Sequence, residues 1–398
     1  MVNKNLILEK KGFTKYRILT AYRNKEPIVG EFAGIFKENK NYIIYRDHLG
    51  CKKFFFVFKK GQIYTSNNFL ELMKHGKDSI RSAQPGYYLK INKNGKLLSK
   101  IKIPQYRISN DRLKSLKIYL NSVKKNYGSK CIVCLSGGLD STIIAYLAKK
   151  IFKNVKLITI HFNNNKHFNL SSDYMSSKKI GNYLNLSHIF IKVDKKEILK
   201  NLKNIMKACQ DWRDYNVHCA CLNYLIARYI KKDKRLKKRV ILTGDFMNEF
   251  VADYTSENFF GKDFYKVPNI SKKTLQRFFT GGLDTSSRES GVFDFLGLTI
   301  FQPYNCLKDY YFQLSQRDLN EKNFKYRINK KLIPKKLYSL VNKKKIRAQI
   351  GDQKNGGILK IFHEKKIYQN ELEKKFSNYF NCTIKWMRSF IQLGRFKN

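Results

Sequence analysis

The segment that most restricts this chain is Ser136-Gly137-Gly138-Leu139-Asp140-Ser141. An apolar stretch, Cys131-Ile132-Val133-Cys134-Leu135, precedes it, and an apolar helical pattern over residues 142–150 follows. Strand, glycine turn and helix in that order make an anion site, because a helix N-terminus presents free N–H groups and a positive dipole. Two glycines let the backbone come close to phosphates. Ser136, Ser141 and Thr142 offer hydroxyls, and Asp140 offers a carboxylate for a magnesium ion accompanying a polyphosphate. No Gly-Lys-Ser/Thr follows, so this is not a Walker loop. The near copy Thr280-Gly281-Gly282-Leu283-Asp284-Thr285 lacks both the strand before and the apolar helix after. It reads as a plain loop, with Asp284 and Arg288 left as residues that could face the site.

Around this loop, strand-like and helix-like patterns alternate. Helices are expected over residues 109–124, 142–150 and 171–184, with a long helical stretch over 195–230. Strands are expected over 131–135, 155–162, 188–193 and 239–243. Such alternation predicts a doubly wound parallel sheet. The part from residue 307 onward reads as helical and basic. Residues 1–106 differ: short apolar runs such as Tyr42-Ile43-Ile44-Tyr45 and Phe54-Phe55-Phe56-Val57-Phe58 are punctuated by Gly, Asn and Lys, as antiparallel hairpins require. A helical pattern appears there only near residues 68–73. The expected class is α/β, α+β overall, with domains 1–106 and 107–398.

The 398 residues are 42% hydrophobic, enough for two packed cores. No run of about 18 apolar residues occurs, so no membrane helix and no membrane partner is expected. Met1-Val2-Asn3-Lys4 leads into polar sequence rather than a signal core, and the expected location is the cytoplasm. The eight cysteines are scattered. Cys131 and Cys134 sit in a strand without the second pair that a zinc ribbon needs. The formal charge is +50. A nucleic-acid partner would suit it, but the lysines are spread along the chain with no single basic arm, so that partner is not favoured.

The loop resembles the pyrophosphatase loop of N-type ATP pyrophosphatases, and more of the chain resembles one branch, the asparagine synthetase family, which includes the β-lactam and carbapenam synthetases. Arg46-Asp47-His48-Leu49-Gly50-Cys51-Lys52-Lys53-Phe54-Phe55 is similar to that family's RDxLGxKPLYY, and Gln84-Pro85-Gly86-Tyr87-Tyr88-Leu89 to its PPGHYL. The resemblance implies an Ntn-hydrolase-like sandwich of two antiparallel sheets in residues 1–106. It implies ATP and Mg²⁺, with a small carboxylate adenylated and an amine or ammonia then displacing AMP. The family's glutaminase uses an N-terminal cysteine nucleophile, and here Val2 stands at that place. The expectation is therefore a degenerate glutaminase domain and another source of amine, as in the ring-closing members.

Further motifs carry the resemblance onward. Gly244-Asp245-Phe246-Met247-Asn248-Glu249-Phe250-Val251-Ala252-Asp253-Tyr254 resembles GEGADELFGGY. That implies Gly244 at the nucleotide, Asp245 as a candidate base for the amine, and Asn248 at the position of a magnesium-binding Asp. Glu249 or Asp253 could compensate for the missing charge. The run from Pro334 through Lys343-Lys344-Lys345-Ile346-Arg347 resembles LPxxIxxRxKxGF, which puts Lys345 at the catalytic lysine, with Lys344 and Arg347 as rivals. By the same resemblance His161 and Phe162 line the adenine pocket. Arg213, Asp214 and His218 lie in the substrate region, and Arg288-Glu289 and Gln302-Pro303-Tyr304 resemble REIRxPFLD. Three rival readings remain: a tRNA-modifying enzyme with the same loop, an asparagine synthetase using free ammonia, and a catalytically dead binding protein, which Asn248 suggests and the retained Asp140, Asp245 and lysine triplet oppose. Residues 46–56 speak against the first. Oligomeric state is left open, a homodimer included.

Overall fold

A computed structural model describes residues 6–8, 13–162, 172–193, 195–251, 257–259, 261–264, 271, 285–321, 323–341 and 357–393. After β1 (Leu6–Leu8) and α1 (Phe13–Arg23) come β2 (Val29–Glu31), β3 (Ala33–Glu38), β4 (Asn41–Arg46), β5 (Phe55–Lys59), β6 (Gln62–Ser66), β7 (Arg81–Ser82), β8 (Tyr87–Ile91) and β9 (Leu97–Lys102). Two antiparallel sheets form, in the orders β3-β4-β8-β9 and β6-β5-β7. Period-2 alternation gives the four-stranded sheet two apolar faces. Ile44, Leu89 and Ile91 meet Phe56 of the other sheet. Ile43, Tyr45 and Tyr88 meet Ile18 and Ala21 of α1. The sequence pattern had not marked α1, whose mixed composition becomes amphipathic only once this sheet is there to cover.

The second region contributes α2 (Arg112–Tyr127), β10 (Lys130–Cys134), α3 (Leu139–Ile151), β11 (Asn154–His161), α4 (Ser172–Leu184), β12 (Ser187–Lys192), α5 (Leu202–Cys209), α6 (Asp214–Lys232) and β13 (Val240–Leu242). They are followed by α7 (Met247–Phe250), the hairpin β14 (Glu257–Phe259) and β15 (Lys262–Phe264), α8 (Thr285–Phe295), β16 (Ile300–Phe301), α9 (Phe324–Asn329), α10 (Ile358–Glu364), α11 (Gln369–Phe380) and α12 (Ile384–Leu393). Five parallel strands run in the order β12-β11-β10-β13-β16. Alternate residues feed two cores. Ile132, Ile158, Ile241 and Ile300 face one layer. Val133, Leu157, Val240 and Leu242 face the other. Strands buried on both faces are what a parallel sheet under helices demands. The same alternation sends Cys131 and Cys134 to opposite faces.

The long helix expected over 195–230 is interrupted. Gln210 is left-handed at φ 57, and the carboxylate of the next residue, Asp211, accepts from the N–H groups of Trp212 and Arg213 at 2.8 Å each. That local hydrogen bonding competes with the helix and ends it. Among the described residues, no helix is long and apolar enough to cross a membrane.

Candidate active site

In the five-stranded sheet the chain moves outward from β10 in one direction through β11 and β12, and in the other through β13 and β16. The gap beyond the C-terminal ends of β10 and β13 is therefore the switch point where open α/β sheets bind ligands. The Ser136–Ser141 loop leaves β10 here. Gly137 adopts φ +80, and Gly138 caps α3 without a side-chain hydrogen bond. Ser136 N–H donates to Ser141 Oγ at 3.1 Å, and Thr142 Oγ1 donates to Gly138 O at 2.7 Å. The hydroxyls thus brace the turn, and the helix N-terminus supplies the anion-facing donors. Thr159 Oγ1 donates to Leu135 O at 2.6 Å. With its only proton engaged, it accepts from His188 Nε2 at 2.8 Å, which sets that ring's tautomer.

Gly244, just past β13, touches the loop from the other side. A Cβ there would fall 2.8 Å from Ser141 N. Gly244→Ala is accordingly expected to push the two motifs apart and weaken nucleotide binding at least about tenfold, a cost of about 1.4 kcal/mol. Titration with a fluorescent ATP analogue checks this. Asp245 follows, half-buried, and together with burial its charge pushes the Cys134 thiol up to about 12. Phe246 is buried with φ 81. A left-handed aromatic residue is a strained one, and such strain gathers at functional turns. It holds Asp245 at the mouth of the gap, while its ring stacks on Phe250 at 5.6 Å.

Asp140 and Asn248 do converge, but on a third residue. Lys325 of α9 donates from Nζ to Asp140 Oδ2 at 3.1 Å and to Asn248 Oδ1 at 2.8 Å. Its side chain is only 7% exposed. The helix carrying it is tied down by Arg112, which donates to Asn329 Oδ1 at 2.6 Å and Ile328 O at 2.7 Å. Tyr304 OH donates to Asp140 O at 2.9 Å, so the segment 302–304 also reaches the loop. A magnesium ion held between Asp140 and Asn248 does not fit this arrangement. Both oxygens already face an ammonium, and the amide brings no negative charge to offset a divalent ion.

His161 and Phe162 end β11 beside the loop, both buried. His161 O accepts from Val193 N–H at 2.9 Å, and its ring lies 4.9 Å from Tyr174. Burial lowers its pKa. Arg213 is held by Asp211 through Nε at 3.0 Å. Asp211 also takes Asn216 Nδ2 at 2.6 Å. Asp214 opens α6 and lines a cleft of about 940 Å³ with Leu199, Tyr368, Gln369 and Lys375. Burial raises its pKa. His218 is 1% exposed against Phe362, and burial lowers its pKa to about 3. It is a neutral residue of the helical core rather than part of an open cleft. Lys345, its rivals Lys344 and Arg347, Asp253 and the copy at 280–284 lie outside the described residues.

Residues 125–357 match the family model of asparagine synthase. The chain belongs to the asparagine synthase family. It is 24% identical over 285 residues to the glutamine-hydrolysing asparagine synthetase of Mesocricetus auratus, covering 61% of this chain and 48% of that one. The corresponding figures for the Rattus norvegicus enzyme are 25% over 157 residues, 39% and 26%. The chain thus spans about half, or less, of the length of these relatives. Among solved structures, NMN synthetase from Francisella tularensis aligns at 14% identity and a TM-score of 0.29, covering 72% of this chain and 95% of that one.

In this asparagine synthase family chain, the stretch 46–53 joins the antiparallel sheets to the parallel one. Arg46 Nε donates to Lys52 O at 2.6 Å and Nη2 to Gly50 O at 2.7 Å, folding the loop around its guanidinium. The folded loop then docks. Ser290 Oγ donates to Cys51 O, Lys52 pairs with Asp294 at 3.5 Å, and Lys53 Nζ donates to Cys209 O at 2.8 Å. Beside it, the buried Glu31 accepts from Tyr119 OH at 2.6 Å and Gln302 N–H at 2.7 Å.

Burial pushes Glu31 up to about 7 from 4.5, although Lys52, Tyr119 and Gln302 pull it back. A raised carboxyl pKa means that the fold favours the protonated form. The stabilisation is complete below about 4.5 and is lost as pH rises through about 7. Glu31→Gln stays neutral, so its stability relative to wild type should improve between about pH 5 and pH 8, by up to about 3 kcal/mol. Urea denaturation at the two pH values measures it.

Proposed function

We propose that this chain is an AMP-forming amide ligase. A carboxylate oxygen of a small substrate attacks the α-phosphorus of ATP, and pyrophosphate leaves. The nitrogen of an amine or ammonia then attacks the acyl carbon of the adenylate, AMP departs, and Asp245 accepts the proton that nitrogen loses. The observation that carries this reading is the phosphate loop at the switch point, with a carboxylate on a strained turn directly across from it. Ser136, Gly137, Gly138, Leu139 and Ser141 would hold the polyphosphate, with Gly244 closing behind them and His161 and Phe162 lining the adenine pocket. In this reading Lys345 supplies the cation for the departing pyrophosphate, and Arg213 and Asp214 contribute to substrate choice.

We assign residues 1–106 and 107–398 as the two domains, the first without glutaminase activity. The support is chemical. The one cysteine of that stretch, Cys51, is buried, and burial with Asp47 and Glu31 drives its thiol well above the usual range. Asn305 Nδ2 donates to its sulfur. A thiol so held is no nucleophile.

The test is a product assay with ATP, Mg²⁺ and a panel of carboxylates and amines. Pyrophosphate and AMP are expected in equal amounts, and only when a carboxylate substrate is present. Release of ADP and phosphate would overturn the mechanism. Turnover that requires RNA would replace it with the base-modifying alternative that the +50 charge invites.

A further inference from the structure

The contact between Lys325, Asp140 and Asn248 calls for a reason. A buried ammonium–carboxylate pair adds little net stability to a fold, because desolvation offsets most of the attraction. Apolar residues of similar volume would serve as well or better. Lys325 also lies in a particular place. It reaches from α9 to the first turn of α3 and to α7, the two elements that flank the nucleotide gap. It thereby fills the space between Asp140 of the phosphate loop and Asn248 of the second motif.

The charges agree with that placement. Asn248 brings no negative charge, and its oxygen and Asp140 Oδ2 both face the Lys325 ammonium, so a divalent ion added between them would meet that charge directly. The free side of Asp140 is a second observation. Its Oδ1 is buried with no hydrogen-bond partner among the described residues. That oxygen is left for a metal arriving on a phosphate chain, which is how magnesium usually enters such sites.

We propose that Lys325 is a resident cation: its ammonium holds the place between Asp140 and Asn248, and the protein takes up a divalent ion only with a nucleotide that carries it. The lysine thus acts as a positioning residue, fixing Asp140 toward the gap and joining the two motifs without metal. This rests on the ligase reading for its nucleotide, but its test does not require turnover.

The probe is Mn²⁺, followed by the loss of its free-ion EPR signal as it binds. The wild-type chain without nucleotide should leave the signal unchanged. Because ATP alone also binds Mn²⁺, uptake with nucleotide is read as Mn²⁺ retained with the chain on rapid gel filtration, against an ATP control without protein, and is expected only when ATP is present. The double variant Lys325→Met with Asn248→Asp exchanges the ammonium for a second carboxylate. It should take up Mn²⁺ without ATP, at least about tenfold more tightly than wild type. Uptake by the nucleotide-free wild type that disappears in Asp140→Asn would overturn the proposal. So would a double variant with wild-type circular dichroism that binds no Mn²⁺. If that variant does not fold, Lys325→Gln takes its place, with weaker uptake expected through Asp140 and its absence again counting against the proposal. Pyrophosphate release measured on the same preparations separates the two readings. A silent assay with the expected Mn²⁺ results removes the ligase and leaves the resident cation.

Discussion

Replacing Asp140 by Ala is expected to abolish pyrophosphate release and, in the same step, to destabilise the fold by about 3–5 kcal/mol. The two effects have different origins. Activity falls because the loop loses the one carboxylate directed at the nucleotide gap. Stability falls because Lys325, 7% exposed, loses the Asp140 carboxylate it is paired with and keeps the neutral Asn248 oxygen in its place. Asp140→Asn separates them. The amide keeps the volume and an oxygen for Nζ, so most of the stability should return while activity stays low. The double variant Asp140→Asn with Lys325→Met should recover further, since no unpaired charge remains. Urea denaturation followed by circular dichroism, with pyrophosphate release on the same samples, reads both quantities. An Asp140→Ala chain with wild-type turnover would remove the loop from the mechanism.

The second large effect is expected far from the loop. Asp47 is fully buried, and its carboxylate accepts four backbone N–H groups: Leu49 at 3.1 Å, Cys51 at 2.9 Å, Lys52 at 3.2 Å and Phe32 at 3.4 Å. Asp47→Ala leaves those donors buried without acceptors, at about 1–3 kcal/mol for each well-made bond lost. A total near 4 kcal/mol is expected after partial relaxation. The loss is also directional. The loop that Asp47 shapes carries Cys51, Lys52 and Lys53 into their contacts with Ser290, Asp294 and Cys209. Hydrogen exchange should therefore accelerate in β4 and β5 and along α8 together, while the centre of the parallel sheet at β10 and β11 changes least. Uniform acceleration across both sheets would show that Asp47 serves the global fold rather than the junction.

Such a division could be read only partly from the chain. The phosphate loop was legible because its determinants are local. Six consecutive residues set the turn, an apolar run on each side sets the strand and the helix, and Gly137 needs a backbone that other residues rarely adopt. The parallel sheet was legible for a related reason, since strands buried on both faces alternate with amphipathic helices. The motif at 46–53 could be recognised as a resemblance, yet its work as a plug depends on Ser290 and Asp294, some 240 residues away in sequence.

Lys325 marks the limit most clearly. It lies 185 residues from Asp140 and 77 from Asn248. It is one of 80 basic residues, and nothing in its neighbours distinguishes it from those on the surface. The break at Gln210 was hidden similarly, because a carboxylate that caps a turn and one that points to solvent have the same letter. Sequence alone determined the loop and the parallel character of the α/β layer, because periodicity and backbone sterics act over neighbouring residues. Tertiary structure alone decided what Asp140 faces, because the position of a buried charge is set by desolvation and by partners that only the packing of α3, α7 and α9 brings within 3 Å or so of one another.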